Sequence, residues 1–230
     1  MNYIIVITYL AVIAASASGS VAAYVKKINF MGAILIGALT AFGGGTVRDL
    51  LLDRYPIYWI DDGKWILISA ITTIVVIFGI PLFKSKLVQN SIAVFDALGM
   101  ATFSVIGSHY AYELGYNLFI CAILGMMTGV VGGLLRDIIC NRVPLVLKGE
   151  LYILPAYLTG LLYLIFYRYT DFLKIADELI AIGFGFIFRL LAIIFDLKIG
   201  SNIVRLFLIK RKRQPQPEDA DKDEQARQVT

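Results

Sequence analysis

F-G-G-G-T-V-R-D-L-L-L-D-R-Y, running from Phe42 to Tyr55, decides how this chain is read. Three consecutive glycines and an Arg-Asp pair stand inside an apolar stretch, where lipid disfavours them. A second version, V-G-G-L-L-R-D-I-I-C-N-R-V-P, runs from Val131 to Pro144. Gly44, Gly45, Arg48, Asp49 and Pro56 match Gly132, Gly133, Arg136, Asp137 and Pro144, each 88 positions on. The same offset pairs Ser16, Gly19, Ser20, Ala23 and Tyr24 with Ser104, Gly107, Ser108, Ala111 and Tyr112.

Composition sets the class. The 230 residues are 59% hydrophobic and 17% charged, with a mean hydropathy of +0.77. A soluble domain is about 45–50% apolar and about 25% charged, so this is a membrane protein. A net charge of +4 is small, and most basic residues fall in short loops or the tail. They read as topology signals rather than a nucleic-acid surface. Cys121 and Cys140 fall on one expected helix, roughly 28 Å apart along its axis, too far for a disulfide. His109, the only histidine, cannot build a metal site alone. No His-, Cys- or Ser-based catalytic constellation and no metal-ligand cluster stands out, so neither an enzyme nor a cofactor is expected.

The apolar periodicity predicts an all-α fold with seven membrane spans. They are about Tyr3–Val25, Phe30–Leu52, Trp65–Phe83, Ile92–Tyr112, Asn117–Ile139, Leu151–Tyr167 and Leu179–Leu197. The run A-S-A-S-G-S in the first span looks like a cleavage region. That span nevertheless lacks a preceding Lys or Arg and has an internal counterpart, so it reads as a helix rather than a leader. Repeat 1 covers about 3–83, repeat 2 about 92–167, and the seventh span has no counterpart. An odd number of spans per repeat turns the second repeat upside down, giving two inverted three-helix repeats about an axis in the membrane plane. Residues 1–200 form the membrane domain. Residues 201–230 are expected to form a basic juxtamembrane segment and, from about Gln214 onward, a disordered tail.

With the N-terminus outside, inner loops hold Lys26, Lys27, Lys84, Lys86, Arg142 and Lys148, and outer loops hold Arg54, Lys64, Arg168 and Lys174. Lys210, Arg211, Lys212 and Arg213 then set a cytoplasmic C-terminus and a contact with anionic lipid.

The chemistry concentrates in the duplicated motif. Consecutive glycines loosen a helix and free backbone carbonyls, which inside a membrane must be packed in protein or line a wet cavity. Gly43, Gly44, Gly45, Gly132 and Gly133 therefore predict two broken helices at a pathway near the midplane, where carbonyls can replace an ion's water. Close helix packing through small residues is the competing reading. Adjacent helical residues point about 100° apart, so Arg48 with Asp49, and Arg136 with Asp137, are expected to pair with neighbouring helices rather than with each other, either as symmetric entrances or gates or as structural ion pairs near helix ends. The matched hydroxyls Ser16/Ser104 and Thr40/Thr128 either bond their own backbone or ring a pore with uncharged oxygens. Asp96 has Thr8 as its counterpart. Arg189, mid-span with Asp196 seven residues on, is a gate, an anion-attracting group or a clamp to Asp96 or Asp137.

On F-G-G-G-T-V-R-D at 42–49, F-D-A-L-G at 95–99 and G-G-L-L-R-D at 132–137, residues 1 to about 200 resemble the prokaryotic branch of the trimeric intracellular cation (TRIC) channel family. That resemblance implies seven helices, a homotrimer, and an ion pathway inside each subunit between the kinked second and fifth spans. It also implies potassium and other monovalent cations, sodium included, as permeant species, with the kinks at Gly43–Gly45 and Gly132–Gly133. Val131 stands in the leading glycine's place in the second copy, so the two kinks are expected to differ in sharpness. Bacterial members are also similar to proteins described as small-molecule, including glycine, transporters. A secondary carrier of a small zwitterion is thus the alternative to a channel.

Overall fold

The structure is a computed structural model that describes residues 3–82, 85–147, 151–169 and 174–197. All regular structure among them is helical: α1 Tyr3–Val25, α2 Phe30–Leu51, α3 Tyr58–Asp61, α4 Lys64–Gly79, α5 Ser85–Glu113, α6 Leu118–Ile139, α7 Ile153–Tyr169 and α8 Lys174–Ile194, with 3-10 turns at Ile80–Leu82 and Leu145–Leu147. The expected second and fifth spans are α2 and α6. Lys84, Lys148 and the tail, where the anionic-lipid contact is expected, lie outside the described residues.

Among the described residues, five helical stretches are long and apolar enough to cross a membrane: α1, α2, Lys64–Leu82, α5 and α6. α7 has 17 residues, and α8 carries Asp177, Glu178 and Arg189 along its 21. The multi-pass all-helical class therefore holds, while the boundaries shift. α5 begins at Ser85 rather than Ile92, and α8 covers Lys174–Ile194 rather than Leu179–Leu197. α4 yields to a 3-10 turn where Pro81, which lacks an amide hydrogen, interrupts α-helical bonding. The short α3 was not visible in the periodicity.

The repeat reaches the helix ends. Asn29 caps α2 by accepting from Gly32 N, and Asn117 caps α6 by accepting from Ile120 N; the two caps are 88 apart. The turns that close these hairpins match as well. Asp53 and Asn141 both take positive φ, and Lys27 with φ 57° corresponds to Gly115 with φ 83°. A left-handed position suits glycine, and the repeat carries the same backbone at both copies even where the residue differs. The core sits where α1, α2, α5 and α6 meet, around Ala11, Val12, Ala41, Met100, Ala101, Val105 and Ala122.

Candidate permeation site

Small residues bring α2 and α6 together. A Cβ on Gly44 would collide with the carbonyl oxygen of Thr128, and one on Gly132 with the carbonyl of Thr40. Thr40 and Thr128 are themselves 88 apart, so the two contacts are reciprocal, as a twofold axis through the crossing requires. Gly43 faces Leu135, Gly45 faces the Tyr58 ring, and Gly133 faces Asp96 Oδ1 and the Tyr152 hydroxyl. The expected break in each helix is corrected: α2 and α6 run as uninterrupted helices through their glycines. Here a missing side chain serves close approach between backbones rather than a local unwinding.

The Arg-Asp pairs correct a second expectation. Arg48 Nε donates to Asp49 Oδ1 at 2.8 Å with Nη2 at 2.7 Å, and Arg136 Nε donates to Asp137 Oδ1 at 3.0 Å with Nη2 also at 3.0 Å. The long guanidinium arm spans the 100° between neighbours. Each carboxylate's other oxygen is taken by the loop that follows: Tyr58 N donates to Asp49 Oδ2 at 3.1 Å, and Leu145 N to Asp137 Oδ2 at 3.2 Å. All four charged residues are buried, so the pairs tie helix ends to loops.

Beyond that the halves diverge. Arg136 Nη1 also reaches Asp96 Oδ1 at 2.7 Å and the Ser18 hydroxyl, joining α6 to α5 and α1. The matching positions in the other half are Thr8 and Ile106, so Arg48 has no second acid of this kind. Its guanidinium lies over the rings of Tyr110 at 4.6 Å and Tyr58 at 5.4 Å, and Arg54 packs on Tyr110 at 3.8 Å. Arg189 Nη1 donates to Leu151 O at 3.0 Å, and its guanidinium sits 4.6 Å over the Tyr152 ring. It therefore meets the Asp96 side of the site through Tyr152, whose hydroxyl shares the Gly133 contact with Asp96.

The hydroxyls mostly serve the backbone. Thr40 donates to Ile36 O and Thr128 to Leu124 O, each at 2.6 Å, and Ser104 donates to Met100 O at 2.8 Å. Ser16 donates to Ser69 at 2.9 Å, a bond to α4.

Two cavities stand nearby, a small one at the crossing and a larger one toward the C-terminal end of α2. One of about 180 Å³ is bordered by Thr8, Arg48, Arg54, Asp61, Asp62 and Lys64. There the Lys64 ammonium and backbone N–H both donate to Asp62 and hold its carboxyl below the ordinary carboxylate range. The other is about 10 Å³, room for about one water, and is bordered by Ser18, Thr40, Asp96, Thr128, Gly132 and Gly133. The structure thus gathers Thr40, Thr128, Asp96 and two of the glycines, and brings Arg136 to them. Arg48 borders the larger cavity. Sequence reasoning missed Ser18, Tyr58, Tyr110 and Tyr152. Ser18 faces Ile106 in the repeat, so duplication carried no signal for it.

Together these features define a multi-pass helical membrane protein built as a pseudo-symmetric repeat around one close helix crossing. A sequence model described as a glycine transporter matches the chain twice, over residues 5–81 and 93–168, and the chain belongs to that family. It is 30% identical to the UPF0126 inner membrane protein YadS of Escherichia coli K12 over 64% of this chain and 70% of YadS. It is 33% identical to the UPF0126 membrane protein YvgT of Bacillus subtilis over 68% of this chain and 77% of YvgT. Among solved structures, the crystal structure of a prokaryotic TRIC channel in 0.5 M KCl superposes with a TM-score of 0.79 at 27% identity, covering 84% of this chain and 96% of that one. The TRIC orthologue from Rhodobacter sphaeroides also gives 0.79, at 25% identity, over 86% of this chain and 100% of that one. The TRIC likeness expected from the motifs holds for the whole fold.

Proposed function

We propose that this chain is a cation channel that passes monovalent ions, potassium among them, passively down their gradient. The path runs inside each subunit beside the α2–α6 crossing, in a seven-span homotrimer of the inner membrane with the N-terminus outside and the basic C-terminus on cytoplasmic anionic lipid. The supporting observation is the polar cavity at the reciprocal Gly44–Thr128 and Gly132–Thr40 contacts, with a second cavity that shares Phe103 with it, in a fold similar to channels solved as TRIC structures. Carbonyls, hydroxyls and the Asp96 carboxylate supply oxygen ligands without a permanent metal.

The experiment is potassium flux into liposomes carrying the purified protein, with a potassium gradient and no other solute. Rapid, non-saturating flux supports the channel. The second reading, a carrier of a small zwitterion such as glycine, is favoured by the description of the matching family. It requires saturable uptake of labelled glycine and no potassium flux in its absence.

A further inference from the structure

The two cavities share a single bordering residue, Phe103 of α5. The order of residues along α5 gives this a direction. Asp96, Gly99 and Met100 border the small cavity, Phe103 borders both, and Ile106 and Tyr110 border the large one. These positions recur at the three- and four-residue spacing of one helical face, which stretches about 21 Å from Asp96 to Tyr110. One stripe of α5 therefore runs past both cavities, and the change from one to the other falls at the Phe103 ring.

The repeat sets Phe103 apart from its counterpart. Thr8 in the large cavity and Asp96 in the small one are 88 apart, as are Ser18 in the small and Ile106 in the large, so the cavities border matching positions of the two repeats. The counterpart of Phe103 is Ala15, which also borders the small cavity. One half thus presents a ring where the other presents a methyl group. Phe103 is only 5% exposed, so the ring is packed in place rather than projecting into free space. It offers no lone pair to a cation that leaves its hydration shell, while polar groups stand on both sides.

We propose that Phe103 is the gate of this protein: an apolar constriction that keeps the two cavities from joining in one water-filled path, and that must move or rewet for a solute to pass. This rests on the reading of the cavities as a transport route, and it deepens that reading by naming its narrowest residue.

Access of a charged, membrane-impermeant thiol reagent tests it without relying on ion flux. The buried native cysteines are first replaced, Cys121→Ser with Cys140→Ser. Asp62→Cys then reports the large cavity and Met100→Cys the small one, in the full-length protein in sealed vesicles with the N-terminal end of α1 facing the reagent. Asp62→Cys is expected to react readily and Met100→Cys slowly. Adding Phe103→Ala is expected to speed Met100→Cys by about tenfold or more, a barrier change of about 1.4 kcal/mol; Phe103→Trp is not. If Phe103→Ala does not assemble, Phe103→Thr tests the same direction with a smaller loss of volume.

A Met100→Cys rate that is unaffected by loss of the ring, in protein that still carries potassium flux, overturns the gate and leaves the channel standing. The accelerated thiol with no potassium flux in any variant keeps Phe103 as the barrier and turns the route into that of a carrier. In conducting protein, Phe103→Ala is also expected to raise potassium flux and Phe103→Trp to lower it; unchanged flux in both overturns the gate.

Discussion

Gly44 lies directly against the backbone carbonyl of Thr128. Its mate Gly132 lies in the same way against Thr40, so the crossing of α2 and α6 rests on two equal contacts. Neither glycine is retained for a left-handed backbone, since both stand within helices. Their role is close approach, because any Cβ would push the two helices apart. Gly44→Ala or Gly132→Ala is expected to cost about 1–3 kcal/mol, the usual range for overpacking. Gly183, also helical but with open space around it, is the control: Gly183→Ala is expected to be neutral or stabilising by up to about 1 kcal/mol. Thermal denaturation in detergent reads the difference, and equal effects at Gly44 and Gly183 would refute the packing role. Gly44→Leu with Gly132→Leu is expected to abolish flux as well.

The charged clusters differ between the halves, and so should their tolerance to change. Arg136→Ala strands two buried carboxylates, Asp96 and Asp137, each within 3.0 Å of the lost guanidinium. Such stranding costs about 3–5 kcal/mol. Arg48→Ala strands Asp49 alone, and the Arg54 guanidinium stands 3.8 Å from that carboxylate to compensate in part. The expected order is a larger loss of melting temperature for Arg136→Ala than for Arg48→Ala. Asp96→Asn should partly rescue Arg136→Ala by removing one unpaired charge. Failure of that rescue would mean that the Arg136–Asp96 bond contributes little.

The duplicated features were legible in the sequence because the backbone obeys the offset of 88 throughout. Gly44 and Gly132, Asp49 and Asp137, and the hydroxyls of Thr40 and Thr128 could all be singled out without coordinates. What was hidden is what the breaks in the repeat do. Asp96 stands opposite Thr8, Ser18 opposite Ile106, and Phe103 opposite Ala15. These mismatches gain meaning only when the third dimension shows that Asp96 and Ser18 converge on Arg136 and that Phe103 borders two cavities. The same limit applied to Arg189. Periodicity put it mid-span but could not tell that Tyr152 stands between it and Asp96. The in-pair bonds of Arg48 and Arg136 were misjudged because Cα directions understate the reach of an arginine.

Arg189 couples to the site through an aromatic ring, and that coupling is measurable. Arg189→Ala is expected to change potassium flux, and Tyr152→Leu to change it in the same sense. The double variant should fall short of the sum, because each single change already removes the guanidinium–ring contact. Strict additivity would assign the two residues separate roles. Wild-type flux in Arg189→Ala would leave Arg189 as a structural clamp on the Leu151 carbonyl.

The matched serines give the last prediction, because burial without a partner reverses the usual effect of losing a hydroxyl. Ser20 donates to Thr73 at 2.9 Å across α1 and α4. Its mate Ser108 is equally buried, yet its hydroxyl makes no hydrogen bond; the residue that matches Thr73 is Leu161. Thr73→Val removes a bond between membrane helices, worth about 0.6 kcal/mol on average. It also leaves Ser20 to its own backbone, the Ser16 carbonyl at 2.7 Å. Ser108→Ala removes a polar atom that gained nothing from burial, and the cost of keeping an unpaired group out of water disappears with it. Thr73→Val is therefore expected to lower the melting temperature in detergent, and Ser108→Ala to leave it unchanged or raise it. A loss at Ser108 as large as that at Thr73 would mean that its hydroxyl is bonded in the working protein, and the two halves would then be more alike than their sequences.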